Sequence, residues 1–387
     1  MTTRAQVLLA ITVYNGRSFV PDAIRSAIRM DTTNHDVDIL VLDDHSPEPG
    51  WSEELAVLCR ELRVRYYCTP RNLGIPRNVN LALLSAHEGT YTHVVVANSD
   101  VLFPSNLIES LVGVCSTDDT IASVTAWSNN ASIYSLPNDD PVTMLSDQDR
   151  VDWLSTTLAN RYGRTAVDVP AGISFCIMIP TWAVRTVGLM DPVFGRGYCE
   201  ETDWSLRSQQ LGFRCTVAPG VFVYHAGKGS NESAGLLRAG ATTVDEHELI
   251  IDMRYPNFRS DVGLFRASGV LARLHAEGLR AICRAAAREY GYSIEVGYLG
   301  GSTSGTTPVV TIDPSTPEAP VSVEFLGFRA TIEIERRPES DAVGRQIFEF
   351  AGGMPTGVNL LDRGPRTQHL LDQLGVEQPA PIYPARV

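Results

Sequence analysis

Positive charge is scarce in this sequence of 387 residues. Its 32 lysine and arginine residues are outnumbered by 45 aspartate and glutamate residues, which gives a net charge of -13 at pH 7. Only one of the cationic residues, Lys228, is a lysine. Because nucleic acids are bound by clusters of cationic side chains, this charge balance argues against a nucleic-acid-binding protein.

Three other features are also missing. No stretch of about 18 apolar residues could span a bilayer, and the first residues lack the apolar core of a signal peptide, so we expect a cytoplasmic protein. The seven cysteines are scattered without a Cys-x-x-Cys pair, which argues against a zinc or redox centre. No Gly-x-Gly-x-x-Gly follows the first predicted strand, which argues against a dinucleotide-dependent dehydrogenase.

Apolar strands alternate with helical patterns through the first third of the chain. The strands are predicted at Val7–Val13, Asp38–Leu42, Val64–Cys68 and Val94–Ala97. Such β-loop-α units form mostly parallel sheets flanked by helices, and the ligands of these sheets bind at the carboxyl ends of the strands. The sequence therefore predicts an α/β fold with a Rossmann-like sheet and a ligand site at one edge of that sheet.

Polar clusters follow these strands and can bind a nucleotide without a glycine-rich loop. Tyr14 can lie beside a base, Asp44 can accept a hydrogen bond from a base N–H, and Arg77 can pair with a phosphate or a carboxylate. Each residue also has a structural explanation, since turns, caps and surface ion pairs are common at such positions. Their joint placement at the ends of neighbouring strands favours a binding site.

Asp100 follows the fourth strand in the sequence Asn98-Ser99-Asp100. A carboxylate at a strand end can hold a hard divalent cation, and the cation can in turn neutralise the diphosphate of a nucleotide substrate. A helix cap before Pro104 explains Asp100 equally well, because short motifs often occur by chance. The residues alone leave both interpretations open.

Four motifs together resemble a known family. They are Ile11–Asn15, Val41–Ser46, Arg71–Asn78 and Ala97–Val101. In order and spacing they resemble the family 2 glycosyltransferases of the GT-A fold, over about residues 5 to 230. The resemblance implies a nucleotide-diphosphate sugar as donor substrate and a divalent metal, Mn²⁺ or Mg²⁺, held by Asp100. It implies donor contacts from Thr12, Tyr14, Asn15, Asp44, Arg77, Asn98 and Ser99.

The metal motif departs from the pattern of the family at Asn98. Many members carry an aspartate there, in an Asp-x-Asp motif. The Asn-x-Asp motif of this sequence resembles a subgroup that includes rhamnosyltransferase-like enzymes. The loss of one carboxylate leaves the dependence on a metal open.

A second informative stretch is Gly195–Arg207, a glycine-rich loop that enters a predicted helix. Glu200, Glu201 and Asp203 lie near the positive end of this helix, which is a sufficient structural reason for acidic residues. Transfer of a sugar to a hydroxyl also needs a carboxylate that takes the hydroxyl proton. The resemblance implies Glu201 as this base, with Asp203 as the second candidate. Trp204 fits a sugar-stacking surface and a core position equally well.

His225 ends a predicted strand and is followed by a glycine-rich turn. A lone histidine is usually held by hydrogen bonds, but the resemblance implies that His225 is the second protein ligand of the cation. Imidazole with a carboxylate and diphosphate oxygens is an acceptable ligand set for Mn²⁺. Lys228 and Ser230 would then reach the donor phosphates. A glycine-led segment at Val169–Ile179 resembles one that faces the acceptor in the family.

The pattern changes beyond about Pro256. We expect one long helix at Leu264–Tyr290, a small α+β domain with strands near residues 293–298, 309–312 and 321–335, and a last helix at Asp362–Leu374. Arginines recur at seven-residue spacing from Arg259 to Arg280. This arginine stripe fits a solvated helix face, a peripheral membrane contact or the interface of a homo-oligomer.

The sequence therefore predicts a GT-A domain at residues 1–258 and a smaller α+β domain at residues 259–387. The expected activity is an inverting transfer in which Glu201 deprotonates a hydroxyl of a glycan, lipid or protein acceptor. Asp100, His225 and the metal would stabilise the departing diphosphate. The alternative is a non-catalytic module that binds nucleotide sugars or glycans and keeps the fold, and Asn98 supports this alternative.

Overall fold

The computed structural model describes residues 4–136, 146–227, 243–297, 307–315, 320–335, 342–361, 369–370 and 374. The chain divides into two compact units, Met1–Arg273 and Leu274–Val387. The expected boundary at residues 258 and 259 falls at the start of the helix Phe258–Ala267. None of the described helices is both long and apolar enough to cross a bilayer.

An eight-stranded sheet forms the centre of the first unit. Its strands are β1 (Gln6–Val13), β2 (Asp36–Asp43), β3 (Arg65–Cys68), β4 (His93–Asn98), β6 (Ile121–Trp127), β7 (Val167–Asp168), β8 (Cys176–Pro180) and β9 (Arg214–Phe222). They lie in the order β3-β2-β1-β4-β8-β6-β9-β7. Strands β3, β2, β1 and β4 are parallel neighbours, as are β6 and β9. Strand β8 pairs antiparallel with β4 and β6, and β7 pairs antiparallel with β9.

Nine described helices belong to the first unit. They are α1 (Val20–Ile28), α2 (Trp51–Glu61), α3 (Ile75–Glu88), α4 (Leu107–Cys115), α5 (Gln148–Tyr162), α6 (Thr181–Val187), α7 (Glu200–Gln210), α8 (Thr243–Arg254) and α9 (Phe258–Ala267). A sheet flanked by helices is the expected α/β class, and all four predicted strands are present. The strands form because their runs are apolar on both faces: Val94–Ala97 of β4 is buried on both sides.

A separate two-stranded sheet pairs β5 (Val101–Leu102) with β10 (Tyr224–His225). The pairing is antiparallel and sets His225 opposite Val101. It therefore brings together two segments that are more than a hundred residues apart in the chain.

The helix expected at Leu264–Tyr290 is in fact two helices, α9 and α10 (Val270–Tyr290). They are separated at Ser268 and Gly269, where Gly269 has a φ of 68°. The hydroxyl of Ser268 accepts a hydrogen bond from the N–H of Val270 at 3.3 Å. The expectation of one helix was wrong because a left-handed glycine ends the first helix and a serine side chain then helps to start the second.

The second unit contains a mixed five-stranded sheet. Its strands are β11 (Ser293–Val296), β12 (Val309–Ile312), β13 (Val321–Phe325), β14 (Phe328–Ile332) and β15 (Gly357–Leu360), with the described helix α11 (Ala342–Ala351). The order is β14-β13-β12-β11-β15. A separate α+β unit after the large sheet agrees with the sequence. Most of the helix expected at Asp362–Leu374 lies outside the described residues.

Candidate active site

The parallel register aligns the strand ends that the sequence singles out. Thr12 lies opposite Asn98 on β4, and Val13 lies opposite Asp43 on β2. The hydroxyl of Thr12 donates to the carbonyl of Ala97 at 3.2 Å. The polar residues that follow β1, β2 and β4 therefore share one edge of the sheet.

Asp44 fixes the loop in front of helix α3. Its carboxylate accepts the N–H of Leu73 at 2.7 Å, the N–H of Gly74 at 2.8 Å and the hydroxyl of Thr69 at 3.1 Å. The side chain is only 5% exposed. A carboxylate offers about four acceptor positions, so roughly one remains for a ligand.

Asn15, Tyr14 and Arg77 surround the same strand ends. Asn15 has a φ of 61°, and its backbone N–H donates to the hydroxyl of Ser46 at 2.7 Å. It therefore connects the turns that follow β1 and β2. Tyr14 is half-buried, whereas Arg77 is exposed in the first turn of α3. The guanidinium of Arg77 donates to the carbonyl of Leu73 at 3.5 Å and makes no ion pair within the described part of the chain, so it can still meet an anion.

Asp100 and His225 are in direct contact, as the pairing of β5 with β10 dictates. An Oδ1 atom of Asp100 lies 3.2 Å from Nε2 of His225. The backbone carbonyl of Asp100 also accepts the N–H of Ala226 at 2.8 Å. Both side chains are largely buried, with 5% of Asp100 and 14% of His225 exposed.

The hydrogen bond of the second ring nitrogen of His225 determines where the proton of the neutral ring lies. Nδ1 lies 2.6 Å from the carbonyl oxygen of Asn130. A carbonyl can only accept, so Nδ1 carries the proton, and Nε2 faces the Asp100 carboxylate. Nε2 then requires a second proton or a metal ion between itself and the carboxylate. Burial lowers the pKa of His225, but the hydrogen bond and charge of Asp100 and the Asn130 carbonyl outweigh it, so the pKa is raised.

This pair fits a divalent cation with two protein ligands. One carboxylate oxygen and one imidazole nitrogen are suitable for Mn²⁺. No group of three or more histidine, cysteine or acidic residues that could hold a metal occurs among the described residues. Other ligand positions would fall to a substrate or to water. Asn98, next to the pair, places its amide nitrogen 3.4 Å from Nε2 of His225, and Ser99 is buried.

The loop before helix α7 adopts an uncommon backbone conformation. Positive φ angles occur at Gly195 (51°), Gly197 (131°), Tyr198 (71°) and Cys199 (72°). The two residues with side chains each cost about 1–3 kcal/mol in this region, so the surrounding structure must hold them there.

Glycine allows this loop to approach the loop before α3. A Cβ atom on Gly197 would lie 2.8 Å from the side chain of Ile75, and one on Gly74 would overlap the carbonyl oxygen of Gly195. The N–H of Ile75 donates to the carbonyl of Arg196 at 3.3 Å. The loop fixed by Asp44 and the loop that precedes Glu201 are therefore in contact.

Two consecutive glutamates begin helix α7. Glu200 is 3% exposed and Glu201 is half-buried, and each has a buried Oε2 atom without a hydrogen-bond partner in the described ranges. Burial raises the pKa of Glu201, while backbone N–H groups of Glu201 and Ser174 partly lower it. Burial and then the charge of Glu201 raise the pKa of Glu200 well above its usual range. The two buried carboxyl groups thus disfavour simultaneous ionisation.

Asp203 is held in ion pairs with two arginines, which makes it an unsuitable base. It is fully buried, and Oδ1 accepts from Arg254 at 2.7 Å and from the hydroxyl of Tyr255 at 2.9 Å. Oδ2 accepts from Arg207 at 2.8 Å. Trp204 is also fully buried, and its indole N–H donates to the carbonyl of Gly188 at 2.9 Å. Trp204 therefore belongs to the core and offers no stacking surface.

Residues 172–175 connect the glutamates with the Asp100–His225 pair. The ring of Phe175 stacks on His225 with centroids 5.4 Å apart, and its carbonyl accepts the N–H of Asn98 at 2.9 Å. The adjacent Ser174 donates its N–H to Glu201. Glu201 and His225 are therefore linked to Asp100 at the same end of the sheet. Lys228 and Ser230 lie outside the described residues.

Asn129 and Asn130 were missed by sequence reasoning. Asn129 accepts the N–H of His225 at 2.8 Å and donates to its carbonyl at 2.9 Å, while Asn130 orients the ring. The polar run after β6 was the available signal, because it ends a strand of the same sheet. Phe175 offered no such signal, since an aromatic residue at a strand start is usually a core residue.

A comparison with protein families matches residues 9–175 to the model of glycosyl transferase family 2. The matched segment includes Asp44 and Asp100 but ends before Glu201 and His225. A search of curated protein sequences found no match.

Solved structures give distant similarities. GalNAc-T7 with UDP, GalNAc and Mn²⁺ has a TM-score of 0.46 and 16% identity, over 58% of this chain and 44% of that chain. The mannosyltransferase PcManGT of Pyrobaculum calidifontis, in complex with GDP-Man and Mn²⁺, has a TM-score of 0.47 and 15% identity, over 73% and 76%. TarS of S. aureus has a TM-score of 0.44 and 12% identity, over 71% and 43%. This chain thus spans less than half of GalNAc-T7 and of TarS.

Proposed function

We propose that the first unit is a metal-assisted, inverting glycosyltransferase of family 2 with the GT-A fold. It transfers a sugar from a nucleotide-diphosphate sugar to a hydroxyl of an acceptor. The observation that carries this proposal is the arrangement of the Asp100–His225 pair and Glu201 around residues 172–175, at the carboxyl edge of the sheet. The match of residues 9–175 to the family supports it independently.

The donor binds along the ends of β1, β2 and β4. Tyr14 lies beside the base, the remaining acceptor position of Asp44 receives a base N–H, and Arg77 pairs with a phosphate. Thr12, Asn15, Asn98 and Ser99 complete this side of the site. The hydrogen bonds of Asp44 to its neighbouring loop mean that the donor enters a site whose backbone is already fixed.

Asp100 and His225 would hold the divalent metal. When bound, the metal supplies positive charge that stabilises the diphosphate leaving group. His225 is fixed for this role by the carbonyl of Asn130, which keeps the proton on Nδ1 and leaves Nε2 directed at Asp100.

Glu201 acts on the acceptor. It takes the proton of the acceptor hydroxyl while the hydroxyl oxygen forms a bond to the anomeric carbon, and the electron pair of the breaking bond goes to the diphosphate. Partial burial raises the pKa of Glu201, which makes its carboxylate a stronger base than an exposed one and suits this step at neutral pH. The ion pairs of Asp203 exclude that residue from this role.

A non-catalytic nucleotide-sugar or glycan-binding module remains the second candidate. Two observations favour it. Asn98 stands in place of an aspartate, and the candidate metal site has only two ligating side chains among the described residues. Both candidates predict donor binding, but only the enzyme predicts turnover.

The test combines binding and turnover for wild type and Asp100→Ala. A panel of nucleotide-diphosphate sugars with Mn²⁺ should contain one that stabilises the wild type by about 2.7 kcal/mol at 100-fold above its dissociation constant. That donor should also be hydrolysed or transferred. Asp100→Ala should lose the Mn²⁺-dependent part of both effects, whereas the exposed control Asp22→Ala should keep them. Donor binding without any turnover would favour the binding module.

A further inference from the structure

Helix α8 holds the loop that leads to Glu201, and we name residues 191–199 the base loop. One contact comes from His247, which is 6% exposed. Its Nδ1 lies 2.9 Å from the carbonyl oxygen of Gly197. Because the carbonyl can only accept, the imidazole N–H donates to it. This carbonyl directly precedes the left-handed residues Tyr198 and Cys199.

Other contacts from the same helix hold the two ends of the base loop. Arg254 places one guanidinium nitrogen 2.8 Å from Asp191, the first residue of the loop, and 2.7 Å from Asp203, in the helix that follows the loop. The guanidinium also lies 5.8 Å from the ring centre of Phe194, and the ring of His247 packs edge-on against Phe194 at 5.5 Å. Arg254 thus fixes the ends of the loop, and His247 contacts its middle.

We propose that His247 is a positioning residue for the base Glu201. The imidazole N–H holds the Gly197 carbonyl and thereby keeps Tyr198 and Cys199 left-handed, which sets the direction of the first turn of α7. Without this hydrogen bond the two residues can relax toward ordinary φ angles, and the carboxylate moves away from the acceptor hydroxyl. This role rests on the proposed function, because it assigns His247 to the base of that reaction.

A structural role alone would predict a different pattern of effects. A residue that merely stabilises the fold would lower the melting temperature without a selective change in turnover. A residue that positions the base would lower kcat while leaving the donor KM unchanged, since the donor lies on the side of Asp44 and Asp100. Arg254 is unsuitable for the test because its loss leaves the buried Asp203 with one cation fewer.

The experiment compares two variants of His247 in the full chain. His247→Phe keeps a ring against Phe194 but removes the N–H, whereas His247→Asn keeps a donor near the Nδ1 position and removes the ring. We expect His247→Phe to lower kcat at least tenfold with a donor KM within twofold of wild type. His247→Asn should recover most of that loss. A kcat of His247→Phe within twofold of wild type, or equal losses in both variants, would overturn the proposal.

Hydrogen exchange tests the positioning separately from the activity. The N–H of Gly197 donates to Phe194 at 2.8 Å, and the N–H of Asp203 donates to Cys199 at 2.9 Å. Both amides should exchange faster in His247→Phe than in wild type, while those of the sheet should not change. If wild type turns over no donor, the proposed function fails, and exchange then tests only whether His247 holds the base loop. Faster exchange at these amides supports that hold, and unchanged exchange refutes it.

Discussion

Replacement of Glu201 by glutamine isolates the proton transfer from the shape of the site. A glutamine has the same size and keeps a carbonyl oxygen that can accept the N–H of Ser174. Its amide group occupies the place of the carboxylate oxygen that has no hydrogen-bond partner among the described residues. It cannot take a proton from a hydroxyl. We therefore expect the fold and the donor affinity to be retained and the base to be lost.

The magnitude follows from the usual contribution of a positioned base. Such a base accelerates a reaction by about 100- to 10,000-fold. At about 1.36 kcal/mol for each factor of ten, Glu201→Gln should cost roughly 2.7 to 5.4 kcal/mol of transition-state stabilisation. The loss should fall on kcat, because the substitution leaves the proposed donor contacts of Tyr14, Asp44 and Arg77 unchanged.

The pH dependence gives a second signature of the same base. In the proposed mechanism the ionised form of Glu201 is the active one, and burial raises the pKa of Glu201 above the ordinary value of 4.5. The rate of wild type should therefore fall as the pH drops through this raised pKa. Glu201→Gln should lack the part of the acid limb that belongs to Glu201, and a limb that remains belongs to other groups such as His225, whose pKa is also raised.

The assay measures sugar transfer or donor hydrolysis with Mn²⁺ from about pH 5 to pH 8, together with nucleotide affinity. Glu53→Gln, an exposed residue of helix α2, serves as the matched control and should behave as wild type. A Glu201→Gln variant that transfers sugar at the rate of wild type would refute the assignment of the base.

Three further predictions concern stability. The pKa of Glu200 is raised in the folded protein, so Glu200 there keeps a proton that it has already released in the unfolded chain. The free energy of unfolding therefore falls as the pH rises from the unfolded-state pKa of Glu200 to its folded-state pKa. Glu200→Gln should therefore raise the melting temperature at pH 8 but not near pH 4, and an equal shift at both would contradict this. Asp203→Ala removes the acceptor of a buried ion-pair network and should lower the free energy of unfolding in urea by about 3–5 kcal/mol, against about 0.5 kcal/mol or less for the exposed Asp22→Ala. Gly74 and Gly212 have similar φ angles of 82° and 85°, but only a Cβ on Gly74 would meet other atoms within 4 Å. Gly74→Ala should therefore lower the free energy of unfolding in urea clearly more than Gly212→Ala does.

More of the fold than of the site could be predicted, because the fold depends on local sequence patterns. Apolar runs that end in turn residues identify the strands of the first unit, and the order of strands and helices determines the class of sheet. The break at Ser268 was missed because the helical pattern continues on both sides of it. Side-chain roles depend on partners that are distant in the chain. Arg254 and Tyr255 both donate to Asp203, and nothing near Asp203 in the sequence indicates these contacts.

The candidate metal site shows what such distant contacts add. The sequence gives reasons to consider Asp100 and His225 separately, but their contact arises from the pairing of β5 with β10. Asn129 then holds the backbone of His225 with two hydrogen bonds, and Asn130 holds its ring. Because these contacts come from the protein itself, the imidazole needs no metal to orient it. Binding of a cation to two ligands that are already in place costs less free energy for ordering side chains. This saving offsets part of the binding free energy that an aspartate in place of Asn98 would have contributed.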